Sequence, residues 1–121
     1  MEIKEELEQS LQNINITEGV LASLLIRKDG LLLTFISKDV NLNKEVAVSL
    51  VSVFNTFEQS AEEIKTGPLN YLLVKANNKN MFFIEVSKDI ILVLFLDATA
   101  DINRIYEESS KTTQKILEIL S

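Results

Sequence analysis

The sequence predicts an α+β fold, in which a five-stranded, mostly antiparallel sheet carries helices on both faces. Two observations support this prediction. Five segments are apolar at alternate positions or in short unbroken runs, and three others repeat apolar residues every three or four positions. The resulting order, α-β-β-α-β-β-β-α, is typical of a layered α+β domain. No repeat, linker or low-complexity segment divides the 121 residues, so residues 1–121 are expected to form a single domain.

The N-terminal part of the sequence predicts a helix followed by a β-hairpin. The apolar stripe of this first helix is Ile3, Leu7, Leu11 and Ile14. Two apolar runs, at residues 20–27 and 31–37, then flank Lys28-Asp29-Gly30. An Asp-Gly pair between such runs favours a tight turn, because glycine accepts the positive φ that the turn requires. The first two strands are therefore expected to be antiparallel neighbours.

A long helix is predicted in the middle of the chain. It follows a loop at residues 38–42 and covers residues 43–65. Gly67 and Pro68 give its stop signal, since glycine adopts the left-handed conformation after a helix and proline cannot continue one.

Three strands and a last helix complete the prediction. The strands lie at residues 69–76, 81–86 and 90–96, and the last of them is apolar at consecutive positions. Such a run indicates a central strand that is covered on both faces. Asp101, a residue type favoured as an N-cap, begins the last helix. The apolar stripe of that helix is Ile102, Ile105, Tyr106, Ile116 and Leu120.

Composition excludes several classes of function. The formal net charge of -6 and the lack of a basic stripe argue against binding to nucleic acid, whose phosphates require clustered lysine and arginine. The N-terminus is charged and amphipathic, unlike a secretory signal. The longest apolar run, at residues 90–96, is far shorter than the ~20 residues that span a bilayer. A soluble, cytoplasmic protein with no direct membrane insertion is expected.

The sequence offers little chemistry. Without histidine or cysteine, it lacks the commonest general base, the thiol nucleophile and most zinc ligands, and its three glycines build no phosphate-binding loop. Asp97 and Asp101 resemble a hydrolytic pair, but their position between a strand and a helix favours turn and capping roles. Arg27 and Arg104 are interpreted as surface charges rather than as catalytic arginine fingers supplied to a partner. We therefore expect no enzymatic activity, cofactor or metal.

The middle helix carries more apolar surface than one sheet can cover. Its apolar residues span an arc of about 160°, whereas packing on one sheet needs a stripe a little wider than about 100°. The excess lies either on the flank with Ala47, Val51 and Phe54 or on the flank with Val46 and Val53. The strand at 69–76 is apolar on both faces and is expected at a sheet edge, where exposure promotes association. A two-fold dimer would cover both surfaces. The predicted interface comprises Val46, Ala47, Val51, Phe54, Leu69, Tyr71, Leu73 and Lys75.

Three segments resemble the roadblock / dynein light chain family: LLIRKDGLLLTF, TGPLNYLLVKA and ILVLFLDATADINRIYEES. The resemblance extends over nearly the whole chain and implies a roadblock/profilin-like layered fold. It also implies homodimers, or heterodimers with a paralogous roadblock protein, joined through the edge strand and the long helix. The implied function is to scaffold or regulate a Ras-like small GTPase, or to serve as an adaptor subunit of a motor. Longin domains have a similar order of elements but usually begin with the first strand.

A possible partner surface lies on the outward side of the long helix. Its residues would be Lys44, Val48, Ser52, Thr56, Gln59 and Glu63. A shallow surface of mixed polarity suits a protein partner better than a small ligand, which prefers a deep apolar pocket. Two alternatives remain open: a trafficking or motor adaptor that binds a partner helix, and an enzyme or small-molecule sensor that uses the sheet face.

Overall fold

A five-stranded antiparallel sheet forms the middle layer of the computed structural model, which describes residues 2–38 and 41–121. The strands follow the spatial order β2-β1-β5-β4-β3. Their bounds are Val20–Arg27 for β1, Leu32–Ser37 for β2, Leu72–Val74 for β3, Asn80–Glu85 for β4 and Ile90–Leu96 for β5. All four neighbouring pairs are antiparallel. The predicted order of elements, the antiparallel sheet and the central position of the last strand are confirmed.

Helices cover both faces of the sheet, as predicted. Their bounds are Ile3–Asn15 for α1, Lys44–Glu63 for α2 and Ile102–Leu120 for α3. The helices α1 and α3 pack together on one face, where Leu11 and Ile116 join the core with Leu94. The other face is covered by α2, which contributes Leu50 and Phe54. Alternate residues of β5 therefore enter two separate cores. None of the described helices is long and apolar enough to cross a bilayer.

The hairpin between β1 and β2 has the predicted turn. The Gly30 backbone has a φ of 100°, and the Arg27 N–H donates to the Leu31 carbonyl at 2.8 Å. A bulge between Leu25 and Ile26 shifts the register with β2. Residues 39 and 40 of the predicted 38–42 loop lie outside the described residues.

The predicted strand at 69–76 is much shorter in the structure. The strand β3 contains three residues and pairs with β4 alone, which places it at a sheet edge as expected. Its end has a local cause: the Ala76 N–H donates to the Asn80 side chain at 3.2 Å and leaves the ladder. On the N-terminal side, the Tyr71 ring stacks on Phe82, with centroids 5.0 Å apart, without extending the strand.

The ends of the helices agree with their sequence signals to within two residues. The Asn43 side chain accepts from the Val46 N–H at 2.9 Å and caps α2. The Asp101 side chain accepts from the Asn103 N–H at 3.0 Å and caps α3. In α1, Leu7, Leu11 and Ile14 are buried. The fourth residue of its predicted stripe, Ile3, is exposed because it lies in the first turn.

Candidate functional site

One flank of α2 packs against the turn of the β1–β2 hairpin. The Asn55 side chain donates to the Lys28 carbonyl at 3.2 Å. A β-carbon added at Gly30 would lie 3.2 Å from Val48 Cγ2, so the absence of a side chain at Gly30 allows the turn to approach the helix closely. The turn therefore extends the surface of this flank.

A shallow cleft of about 320 Å³ lies between the turn and the helix. Four residues of the predicted partner surface line it: Val48, Ser52, Thr56 and Gln59. Lys44 lies one helical turn before Val48 and borders a neighbouring depression with it. The structure thus brings these five side chains together along one flank, and we call them the platform.

The opposite flank of α2 is apolar and incompletely covered. It consists of Val46, Val53 and Phe57 of α2 and of the C-cap residue Ile64, whose spacings place all four within one narrow stripe. Val53 is 38% exposed, Phe57 50% and Ile64 72%, whereas Val46 is half-buried. We call these four residues the apolar flank. The predicted interface included Val46 but omitted Val53, Phe57 and Ile64, although their spacing from Val46 marks them on the same stripe.

Three of the residues predicted at a dimer interface belong to the core instead. Ala47, Val51 and Phe54 are buried against the sheet of their own chain, and the Phe54 ring stacks on Phe83 with centroids 6.3 Å apart. This placement corrects the expectation that they lie on the surface. Of the two flanks that the helical wheel left open, the one with excess apolar surface is the flank of Val46 and Val53.

The four predicted interface residues outside α2 lie in or beside the edge strand β3. Leu73 is half-buried and points to the face covered by α1 and α3, and Tyr71 contacts Tyr106 on that face, with ring centroids 5.3 Å apart. Leu69 is half-buried on the α2 face, and Lys75 is exposed. These residues therefore surround the edge but divide between the two faces of the sheet.

The α2 face of the sheet is itself incompletely covered near this edge. Leu72 and Val74 of β3, together with Met81 of β4, remain half-buried although they point toward the α2 layer. Within the described chain, exposed apolar surface therefore occurs on the same face in two places, along the apolar flank and beside the edge strand.

A lysine that no sequence pattern singled out joins three elements. The Lys28 ammonium lies 2.8 Å from a Glu85 oxygen and 3.1 Å from a Glu58 oxygen. It also lies 5.5 Å from the centroid of the Phe54 ring, within the range of a cation–π interaction. Lys28 follows β1, Glu58 belongs to α2 and Glu85 ends β4. The cluster therefore fixes the helix against the end of the sheet.

The electrostatics of this cluster favour its charged form. Burial alone would lower the pKa of Lys28, but hydrogen bonds to Glu85 and Glu58 outweigh burial and hold that pKa above its ordinary value. Burial alone would raise the pKa of Glu85, but the hydrogen bond from Lys28 and the attraction of its charge hold that pKa below its ordinary value.

A groove of about 630 Å³ lies beside the same cluster. Glu58 and Glu62 of α2, Pro68 and Leu69 of the following segment, and Glu85 line it. It mixes apolar and acidic walls. Among the described residues, no group of three or more acidic side chains is arranged to hold a metal ion.

The two aspartates considered as a catalytic pair have the turn and capping roles expected. An Asp97 oxygen accepts from the Thr99 hydroxyl at 2.6 Å and from the Thr99 N–H at 2.8 Å, and these bonds lower the pKa of Asp97. Asp101 caps α3. Arg27 pairs with Asp29 at 2.6 Å on the surface, and Arg104 is exposed in the first turn of α3.

Sequence similarity to known proteins is low. No protein-family model matches the chain. An uncharacterized protein of Methanocaldococcus jannaschii is 24% identical over 111 residues, which cover 91% of this chain and 96% of that relative. Because this identity is low, sequence similarity alone does not assign a family.

Solved structures give a clearer relationship. MglB of Myxococcus xanthus matches with a TM-score of 0.89 at 12% identity, covering 99% of this chain and 91% of MglB. A roadblock/LC7 domain of Streptomyces avermitilis matches with a TM-score of 0.82 at 12% identity, covering 99% of this chain and 98% of that domain. MglB in a tetrameric arrangement matches with a TM-score of 0.85 at 15% identity, covering 98% of this chain and 90% of that MglB chain. The chain therefore has the fold of MglB and the roadblock/LC7 domains.

Proposed function

We propose that the chain is a non-enzymatic, dimeric interaction module that scaffolds or regulates a Ras-like small GTPase. The observation that carries the proposal is the division of α2, within a roadblock fold, into an apolar flank and a platform. The apolar flank would serve self-association, and the platform would bind the GTPase.

The support for self-association is the exposed apolar surface on the α2 face. Val53, Phe57 and Ile64 expose apolar side chains along one stripe, and β3 leaves one edge of the sheet unpaired within the described chain. A two-fold axis at β3 would join two sheets and cover the apolar flanks in one closed assembly. The tetrameric arrangement of MglB is an example of self-association in this fold.

The support for a protein partner at the platform is its shape and polarity. The cleft is shallow, and its exposed side chains include a valine, two hydroxyls and an amide. Such surfaces suit transient protein complexes. The Thr56 hydroxyl already donates to the Ser52 carbonyl at 2.8 Å, so a partner need not satisfy that group. Val48, at 55% exposure, provides apolar contact area in the middle of this surface.

The experiment replaces Val48 by glutamate. Affinity purification from the native cell, followed by mass spectrometry, identifies the GTPase, and its Kd is then measured with the purified chain in the GDP-bound and GTP-bound states. We expect Val48→Glu to weaken the complex at least tenfold, because it places a charge in the centre of the contact, at a cost of about 1.4 kcal/mol or more. The mass of the dimer should not change.

The matched control is Ile3→Glu. Ile3 is 56% exposed, close to the exposure of Val48, and lies in the first turn of α1, where glutamate is favourable. This variant should bind the GTPase as the wild type does. An unchanged complex in Val48→Glu would reject the platform as the docking site, and a parallel loss of dimer would show that Val48 has a structural role.

A further inference from the structure

The second edge of the sheet, β2, is longer than β3. It has six residues, and the segment 31–37 contains neither a charged residue nor a proline. Leu31 and Phe35 are exposed, whereas Leu33 and Ile36 are half-buried on the opposite face. Charged residues and proline are the usual protection of an edge strand. The bulge opposite Leu25 and Ile26 is the one irregularity in the described pairing of this edge.

The register shows which backbone groups of β2 point outward. The Lys38 N–H donates to the Leu21 carbonyl at 3.3 Å, so these two residues form a hydrogen-bonded pair. From there, non-hydrogen-bonded and hydrogen-bonded pairs alternate along the hairpin. Ile36 and Thr34 belong to hydrogen-bonded pairs with β1, whereas Phe35 and Leu24 form a non-hydrogen-bonded pair. Phe35 therefore directs its N–H and carbonyl away from β1, toward the open edge.

A groove of about 320 Å³ runs beside this edge. Its walls are Leu33, Thr34 and Phe35 of β2, together with Lys4 and Glu8 of α1. A chain that paired with β2 would place alternate side chains in this groove, beside one positive and one negative charge. Its other side chains would lie on the α2 face, next to the exposed Phe35 ring.

We propose that β2 binds an extended segment of a different protein, which adds a strand to the sheet through the outward backbone groups of Phe35. Strand addition of this kind derives affinity from main-chain hydrogen bonds and specificity from alternate side chains. The groove and the Phe35 ring select a segment in which polar or charged residues alternate with apolar ones.

The small area of the edge argues against a second copy of the chain as the occupant. Six strand residues are about 20 Å long, and a sheet edge is about 10 Å thick, so edge-to-edge contact covers on the order of 200 Å² per partner. Stable interfaces cover about 800 Å² per partner. On the β3 side the apolar flank could supply the difference, but beside β2 the helix α1 presents Lys4 and Glu8. A flexible segment can bury more area here than a flat edge-to-edge contact, because its side chains also enter the groove.

Symmetry gives a second argument, which rests on the proposed dimer. A dimer joined at β3 has one β2 edge at each end of the joined sheet. If β2 also paired with itself, every dimer would recruit two others, and the dimers would assemble further into chains or rings. A segment of another protein occupies both ends without polymerisation.

The test uses a phage-displayed library of random 12-residue peptides, selected on the full chain, with amide hydrogen exchange as the readout. In the free chain at low concentration, the Phe35 amide should exchange at least tenfold faster than those of Thr34 and Ile36. The selected peptides should slow exchange at Phe35 at least tenfold. Phe35→Pro, which removes the outward N–H at a position where an edge strand tolerates proline, should weaken peptide binding at least tenfold.

The matched control is Phe35→Thr, which keeps the N–H and a residue suited to strands. It should bind peptide more tightly than Phe35→Pro does. Peptides that protect other amides and leave Phe35 unchanged would overturn the proposal. Slow amide exchange at Phe35 in the dilute free chain would also overturn it. So would amide exchange at Phe35 that slows as the concentration of the chain rises without peptide, because that would indicate pairing with a second copy. Phe57→Glu changes the apolar flank and not β2, so this variant should still bind peptide. A failure of the proposed dimer can therefore be distinguished from a failure of strand addition.

Discussion

Lys28 connects three elements through one ammonium group. Its contacts with Glu58 and Glu85 hold α2 and the end of β4 together, and its backbone N–H donates to the Asp89 carbonyl at 2.8 Å. The Lys28 side chain is only 17% exposed. Removal of the lysine would leave two carboxylates close together without a cation, and that repulsion would come in addition to the lost attraction.

We expect Lys28→Met to lower the free energy of unfolding by about 1–2 kcal/mol at pH 7, a value reduced for solvent screening because both carboxylates are partly exposed. The effect should shrink as the pH falls to 4. In the wild type, the pKa of Glu85 is below its ordinary value of 4.5, so its stabilising contribution exists above that value and is lost as the pH falls through the lower, folded-state pKa. In the variant, protonation relieves repulsion between the carboxylates.

Urea denaturation from pH 7 to pH 4 measures this change. The control is Lys88→Met, at an exposed lysine in the nearby β4–β5 turn. A destabilisation by Lys28→Met that is the same at both pH values would contradict an electrostatic role and would indicate that only the packing of the lysine stem matters.

The C-terminus of α2 has hydrogen bonds typical of a Schellman motif. The Thr66 N–H donates to the Ala61 carbonyl at 3.1 Å, and the Lys65 N–H donates to the Glu62 carbonyl at 3.3 Å. The residue that follows the cap in this motif takes the left-handed conformation and is usually glycine. Here it is Lys65, with a φ of 57°. Gly67 also has a positive φ, but it lies two residues later.

We expect Lys65→Gly to raise the free energy of unfolding by about 0.5–1 kcal/mol, because glycine adopts the left-handed conformation without the cost of a β-carbon. Lys65→Ala is the control: it removes the charge and keeps the β-carbon, so it should not stabilise the chain. Urea denaturation at one protein concentration compares the three proteins. Equal stabilisation by both variants would assign the effect to the lysine charge instead of the backbone.

The elements with strong local patterns could be predicted from the sequence. The unbroken run Ile90–Leu96 marked the central strand, and Lys28-Asp29-Gly30 marked the hairpin. The length of β3 could not be predicted, because it depends on pairing with β4 and on the Asn80 side chain that ends the ladder. The left-handed Lys65 was hidden for a similar reason, since the glycine two residues later gave the stronger local signal.

The candidate site was predicted only in part. The spacing of Val48, Ser52, Thr56 and Gln59 placed them correctly on one flank of the helix. The angular distribution of apolar residues around the helix did not show which apolar flank packs on the sheet, because that depends on the rotation of α2 about its axis. No sequence pattern indicated the ion pairs of Lys28, since Glu58 and Glu85 come within its reach only through tertiary contacts.

The three proposed surfaces use different parts of the molecule. A dimer joined at β3 would place both α2 helices on the same face of the joined sheet, with the apolar flanks available for contact between the two copies. The platforms lie on the opposite flank of each helix and would remain accessible. The β2 edges would lie at the two ends. Self-association, GTPase binding and strand addition would therefore not compete for the same residues.

The proposed dimer predicts that thermal stability depends on protein concentration. When folding and association are coupled, a 100-fold increase in concentration contributes about 2.7 kcal/mol per dimer. For a chain of 121 residues this corresponds to a rise of about 5 °C in the Tm. Light scattering of the wild type at micromolar concentration should give twice the mass of one chain, which is 13.7 kDa.

Phe57→Glu tests the apolar flank within this assembly. Phe57 is 50% exposed in the chain, so glutamate there should not disturb the core, whereas Leu73→Asp would also damage packing against α1 and α3. In the proposed dimer the Phe57 ring is covered by the partner, and a charge at that position would cost several kcal/mol. We expect Phe57→Glu to be a monomer whose Tm no longer depends on concentration, while Val48→Glu, on the opposite flank of the same helix, stays dimeric. A wild type that is monomeric at micromolar concentration would refute the dimer, and a dimer that survives Phe57→Glu would place its interface away from the apolar flank.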